Sequence, residues 1–202
     1  MTPIRVFISS VQKEFAEERA TLRNYLRDDP LLRRFFEPFL FEDVPAADRR
    51  TDELYLDEVA AADVYVGLLG NEYGYEDSEG VSPTEREFNR ATELGKQRLV
   101  FVQGADDKAR HPKMLALVRR AGDQLIRRRF GTTPELTASV YASLVQLLAS
   151  RELLRNGPFD AAVCMKATLA DLDEERMRRF VRTARGARGF PLDEQVPTTE
   201  LL

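Results

Sequence analysis

Five short apolar runs alternate with amphipathic helical segments along this chain, and that alternation limits the fold more than any other feature. The runs are IRVFI (4–8), EPFLF (37–41), DVYVGLL (63–69), RLVFV (98–102) and QLIRRRF (124–130). Between them, VQKEFAEERATLRNYLRD places Val11, Phe15, Leu22, Tyr25 and Leu26 at helical intervals. DELYLDEVAA (52–61), a segment opening at Ser82, another around Pro112 to Arg120, and Thr133 to Ser150 read the same way. A strand followed by a helix, repeated, predicts an α/β domain with a parallel sheet covered on both faces. Five strands predict a doubly wound order 2-1-3-4-5. In such a sheet a ligand crevice opens beyond the carboxyl ends of the strands, where the order reverses between strands one and three.

The segment GVSPTEREFNRATELG (80–95) bears on that crevice directly. Ser82, Pro83 and Glu85 form a capping-box pattern, with the serine oxygen taking a backbone N–H and the glutamate reaching back. At roughly 100° per residue, Phe88, Ala91, Leu94 and Gly95 form an apolar stripe that includes Thr84 and Glu87, while Glu85, Asn89 and Glu93 fall on the solvated side. A carboxylate in the stripe is costly unless it is paired or faces a ligand. Glu87 is therefore either a site carboxylate or the partner of an arginine at the edge of the core.

Residue inventory restricts the chemistry further. The single cysteine, Cys164, excludes an internal disulfide, and the single histidine, His111, leaves no set for a zinc site or a Cys-His or Ser-His nucleophile. Reactive groups must come from carboxylates, hydroxyls, amides and arginines; no metal and no cofactor is required. A net charge of −4 argues against a chain that coats nucleic acid. No apolar run approaches the length of a membrane span and no secretory leader is visible, so a cytoplasmic protein without membrane contact is expected.

Several groups should converge on the crevice. Ser9 and Ser10 are expected to leave strand one at a helix N-terminus, where they would hold a phosphate or a ribose hydroxyl. Gly70, Asn71, Tyr73 and Gly74 come after strand three, in a loop through which a ligand could approach backbone atoms and stack on the tyrosine ring. Thr84 and Glu87 open the next helix.

Beyond residue 150 the character changes. The segment 151–202 reads as a linker and helical extension or as the start of a further domain, with one helix from about Asp171 to Ala187 that has acids in its first turn and arginines after them. That distribution suits the helix dipole, and a DNA-contacting helix is the alternative.

VFISSVQKEFAEERATL, DVYVGLLGNEYG and SPTEREFNRA together resemble an uncharacterised bacterial domain family, TIR-like in organisation, that sits at the N-terminus of regulatory or signalling proteins. The resemblance spans residues 4–150 and implies a flavodoxin-like, TIR-like domain related to the nucleoside 2-deoxyribosyltransferases and to NAD-cleaving TIR domains. In the transferases a threonine precedes a nucleophilic glutamate by three residues, with an alanine four beyond; Thr84, Glu87 and Ala91 keep that spacing. Glu87 inherits the catalytic role on either comparison. The transferases' aspartate corresponds to Val81, and Ser82-Pro83 stands where they have glycine. The tail resembles part of bacterial regulators that carry a schlafen-like DNA-binding ATPase module.

Two functions remain open at this point. One is cleavage of the N-glycosidic bond of NAD, a nucleoside or a nucleotide, with Glu87 as catalytic carboxylate and Ser9, Ser10, Gly70, Asn71, Tyr73 and Thr84 as ligand contacts. The other is a non-catalytic nucleotide-sensing or protein-interaction domain of a transcriptional regulator or defence protein. Self-association or a fused regulatory module would be the partner, and DNA only through the C-terminal region.

Overall fold

The computed structural model of the chain describes residues 2–40 and 51–154. The chain divides after Arg151 into two units, and the first holds every strand and helix described below. The expected helix at Asp171 to Ala187 lies outside the described residues.

The strands are β1 (Ile4–Ser10), β2 (Phe36–Phe39), β3 (Val64–Leu69), β4 (Gln97–Gln103) and β5 (Arg127–Phe130). They form one five-stranded sheet in the order β2-β1-β3-β4-β5, with every neighbouring pair parallel. Burial follows position: every residue of β3 is buried and all but one of β1, as central parallel strands covered on both faces must be. Edge strands differ. Pro38, which has no N–H to donate, sits in edge strand β2, and β5 exposes three arginines in succession.

The helices are α1 (Ala16–Asp28), α2 (Thr51–Ala61), α3 (Pro83–Glu93), α4 (Pro112–Gln124) and α5 (Thr133–Ser150). On one face α1 packs with α5, where the Phe15 and Phe130 rings lie 6.3 Å apart and Tyr25 meets Tyr141 edge-on. On the other face, α2, α3 and α4 share a core with the sheet, built from residues such as Phe7, Tyr65, Val59, Phe88 and Leu117. Tyr65 stacks on Phe7 with ring centroids 6.4 Å apart and receives the edge of Phe88 at 6.2 Å. The architecture is the doubly wound α/β fold that the strand–helix alternation predicts. No helix among the described residues is long and apolar enough to cross a membrane.

One boundary departs from expectation and matters for the site. The first helix begins at Ala16, not at Val11, and Ser9 and Ser10 are the buried last residues of β1 rather than caps at a helix start. Residues 12–15 make turns instead. Those turns bury Phe15 completely against the Phe130 ring of β5, and the Phe15 amide donates to the Val11 carbonyl at 3.1 Å.

Candidate active site

A cleft of about 950 Å³ opens at the carboxyl ends of the strands and is lined by the end of β1, by Tyr55 of α2 and by residues that come after β1, β3 and β4. The size falls within the range of small-molecule and cofactor sites. Of the residues expected to form a site, Ser10, Asn71, Tyr73, Thr84 and Glu87 line it; Ser9 lies behind Glu87, and Gly70 lies outside the lining.

Glu87 is the chemical centre of the cleft. Helix α3 starts with Ser82 accepting from the Glu85 amide at 3.3 Å and with Pro83 in its first turn. That start directs Thr84, Glu87, Phe88 and Ala91 inward. Glu87 is 5% exposed and still lines the cleft. The Ser9 hydroxyl donates to its Oε2 at 2.5 Å. Burial pushes the Glu87 carboxyl from an ordinary 4.5 up to about 7, with the Ser9 hydrogen bond and the charge of Arg19 acting in the opposite direction. A carboxyl with proton affinity near neutrality, reachable from a cleft, can serve as nucleophile, as general acid or base, or as an electrostatic partner for a cation.

Arg19 is the residue that sequence reading missed here. It is 3% exposed, and its Nη1 donates to the Ile8 carbonyl at 3.0 Å and to Ser10 Oγ at 3.2 Å. Its position was legible in principle, four residues after Phe15 and three before Leu22 on the buried face of α1. Both readings of Glu87 thus meet in one place: the carboxylate faces a cleft and has a buried arginine as counter-charge.

The capping box is only half formed. The Glu85 carboxylate does not return to the Ser82 amide; that N–H donates to the Tyr73 hydroxyl at 3.3 Å, and Tyr73 in turn donates to Glu85 Oε2 at 2.5 Å. Glu85 is not on a solvated side either, because Arg120 of α4 donates to it at 2.7 Å and to Asn89 at 3.0 Å. Packing of α4 against α3 supplies a cation that no local pattern around Glu85 announces. Tyr73 is 4% exposed and stacks on His111 at 5.5 Å, so it forms a fixed wall of the cleft rather than a free platform.

The loop after β3 is clamped from two sides. Glu14 lays its carboxylate against Gly70, where any side chain would collide with it, and accepts from the amides of Asn71 at 2.6 Å and Glu72 at 3.2 Å. Burial raises the Glu14 carboxyl above its ordinary value while those two amides pull it down. Gly70 therefore serves close approach by an internal carboxylate. From the other side Arg110, its side chain fully buried, donates to the carbonyls of Gly70 and, at 2.8 Å, of Gln103, tying the ends of β3 and β4 together. Further along, Asp77 accepts from Arg86 and from the amides of Val81 and Glu79, which pulls the Asp77 carboxyl down to about 2 and secures the approach to α3. Among the described residues no group of three or more His, Cys, Asp or Glu is placed to hold a metal ion.

A five-stranded parallel sheet in the order β2-β1-β3-β4-β5, covered by helices on both faces, defines an α/β domain of the doubly wound, flavodoxin-like class. Residues 5–145 match the family described as Domain of unknown function (DUF4062), and the chain belongs to that family. No curated protein matches it. Among solved structures it is similar to a CMP N-glycosidase from Clostridium botulinum, at 13% identity over 70% of this chain and 98% of that one, TM-score 0.44. It is also similar to a conserved protein from Enterococcus faecalis V583, at 13% identity over 70% and 99% of the two chains, TM-score 0.41. A third is the 2-desoxiribosyltransferase from Leishmania mexicana, at 16% identity over 50% of this chain and 65% of that one, TM-score 0.37.

Proposed function

We propose that the cleft takes a nucleotide-type ligand, NAD or a nucleoside or nucleotide, and that Glu87 acts on its N-glycosidic bond. The observation that carries this reading is the burial of Glu87 at the cleft with the Ser9 hydroxyl as donor and a proton affinity near neutrality. The spacing of Thr84, Glu87 and Ala91, which resembles that of the deoxyribosyltransferases, supports it.

Breaking such a bond sends its electron pair to the departing base or nicotinamide and leaves an oxocarbenium-like ribose carbon. Ionised Glu87 would stabilise or capture that carbon, and water would complete hydrolysis by giving hydroxide to the carbon and a proton to the leaving group or solvent. Ser10 and Thr84 would contact ribose hydroxyls or phosphate. Lys13 and Lys108, both exposed on the cleft, suit a phosphate.

A second reading rests on a different observation, the counter-charge of Arg19. A carboxylate already paired inside the fold can hold the cleft in shape for a ligand that is sensed and not cleaved. Such a module would act in a regulator or defence protein, in keeping with the TIR-like pattern of the sequence.

Incubation of the full chain at high concentration with NAD and a panel of nucleosides and nucleotides, beside Glu87→Gln, decides between them. Release of nicotinamide or free base by the wild type alone supports the catalytic reading. Shifts in melting temperature without release support sensing, and silence in both assays refutes the nucleotide reading.

A further inference from the structure

Behind Glu87 lies a buried polar atom that none of these roles uses. Tyr65, in the middle of β3, is 1% exposed, and its hydroxyl oxygen is fully buried and makes no well-formed hydrogen bond, with Ser9 the side chain near enough to offer one. A buried hydroxyl without a partner is costly, and phenylalanine would fill the same space without that cost.

The register of the sheet explains where this oxygen sits. Phe7 pairs with Tyr65 and Ser9 with Gly67 across β1 and β3. Alternate residues of a strand share a face, so Phe7, Ser9, Tyr65 and Gly67 all face the α3 side of the sheet. The Tyr65 ring stacks on Phe7 and runs forward along its strand over Gly67. A Cβ on residue 67 would lie 2.9 Å from the ring and 3.3 Å from the hydroxyl oxygen. The notch left by that glycine carries the phenol to the register position of Ser9, whose own hydroxyl is spent on Glu87.

We propose that Tyr65 is a positioning residue for Glu87 that acts through Ser9: its hydroxyl, which makes no well-formed hydrogen bond as placed, closes on Ser9 Oγ and donates to it, so that the Ser9 proton is committed to the carboxylate and the cleft face of Glu87 stays open to ligand. The inference rests on the reading of Glu87 as the reactive group of the cleft. Ser9 has one proton and two lone pairs, so it can donate to Glu87 and accept from Tyr65 at once. Tyr65 has one proton, and neither Phe7 nor Phe88 can take it. Burial raises the Tyr65 phenol well above its ordinary value, with the Glu87 charge adding to that and Ser9 and Arg98 acting against it, so the phenol remains a donor. The groups that face Glu87 are then Ser9 from β1, Arg19 from α1, and Tyr65, through Ser9, from β3.

The test reads the carboxyl itself and needs no turnover. The full chain is labelled with carbon-13 at glutamate carboxyls, the Glu87 resonance is assigned by its loss in Glu87→Gln, and its titration midpoint is followed in wild type, Tyr65→Phe, Ser9→Ala and the double variant. Loss of a donor relay disfavours the ionised carboxylate, so Tyr65→Phe should raise the midpoint by about 0.5 to 1 pH unit. In the Ser9→Ala background the same change should add nothing, because the relay is already broken. A ring-fluorinated tyrosine at position 65, a stronger donor of the same shape, should move the midpoint down. A midpoint that stays in place in both Tyr65→Phe and the fluorinated protein overturns the proposal, as does an equal shift with and without Ser9. Turnover that survives Glu87→Gln would remove the reading of Glu87 while leaving this result standing, and the reverse pattern would remove Tyr65 alone.

Discussion

The Ser9 hydroxyl, at the end of β1, donates to Oε2 of Glu87 across 2.5 Å, joining two residues 78 positions apart in the chain. The bond fixes one carboxylate oxygen against the sheet. Glu87 nevertheless remains part of the cleft lining, so the same group is held by the fold and offered to a ligand. The energetic cost of burying it is visible in its raised proton affinity.

Replacing Glu87 with Gln should abolish any N-glycosidic turnover and leave ligand binding nearly intact, as judged by product release and by ligand-induced thermal shift. The same variant should change how stability depends on pH. With a carboxyl at about 7 in the folded chain against 4.5 unfolded, the folded state keeps a proton that the unfolded state has released between those values. Stability from this group is therefore full below about pH 4.5, declines as pH rises, and levels off above about pH 7, a total of about 3 kcal/mol. Denaturant midpoints of wild type should show the decline, and those of the variant should lack it.

Arg19→Met keeps the volume of the side chain and removes the charge opposite Glu87. It also leaves the Ile8 carbonyl without the 3.0 Å bond it now accepts. A loss of about 3 kcal/mol is expected at pH values above 7, where Glu87 is ionised, and a smaller loss near pH 5, where it is protonated. Denaturation at both pH values checks the difference, and adding Glu87→Gln should recover part of the loss.

Arg110→Lys tests the clamp between the ends of β3 and β4. A lysine cannot reproduce a guanidinium that serves the carbonyls of Gly70 and Gln103 together, and one of these would be left buried and unpaired. The expected cost is about 2 kcal/mol, with weaker ligand-induced thermal shifts because Asn71 and Tyr73 come directly after in the cleft wall. A variant as stable as wild type would show that the two carbonyls do not depend on this side chain.

Deleting residues 152–202 should leave a cooperatively folding domain, since helix α5 closes at Arg151, whose amide donates to the Leu147 carbonyl at 3.1 Å. Circular dichroism melting gives the answer directly. Aggregation or a broad transition would show that the domain depends on the deleted segment.

Much of this fold was written in local patterns. The apolar runs and the helical periods between them predicted the strand order, and the three-residue and four-residue spacing around Phe88 turned Glu87 inward. The capping signal at Ser82 and Pro83 located the start of α3 to the residue. These are properties of neighbouring residues, and a single segment suffices to reveal them.

The surroundings of Glu87 were not written in that way. Ser9 and Ser10 looked like helix caps because a polar pair after an apolar run has that local signature; only their pairing with Gly67 and Leu68 of β3 showed that the strand continues through them. The Tyr65 phenol reaches the place of Ser9 because two strands, separated in sequence by a whole crossover, pair in one register and not another. Arg120 meets Glu85, and Glu14 meets the amides after Gly70, through helix packing and loop approach that no spacing in the chain encodes. Periodicity is a local quantity, so the order of residues alone was enough to set the sheet, the helix faces and the inward carboxylate. The partners of that carboxylate came only with the assembled core, because strand register and interhelical packing depend on the whole of it settling at once.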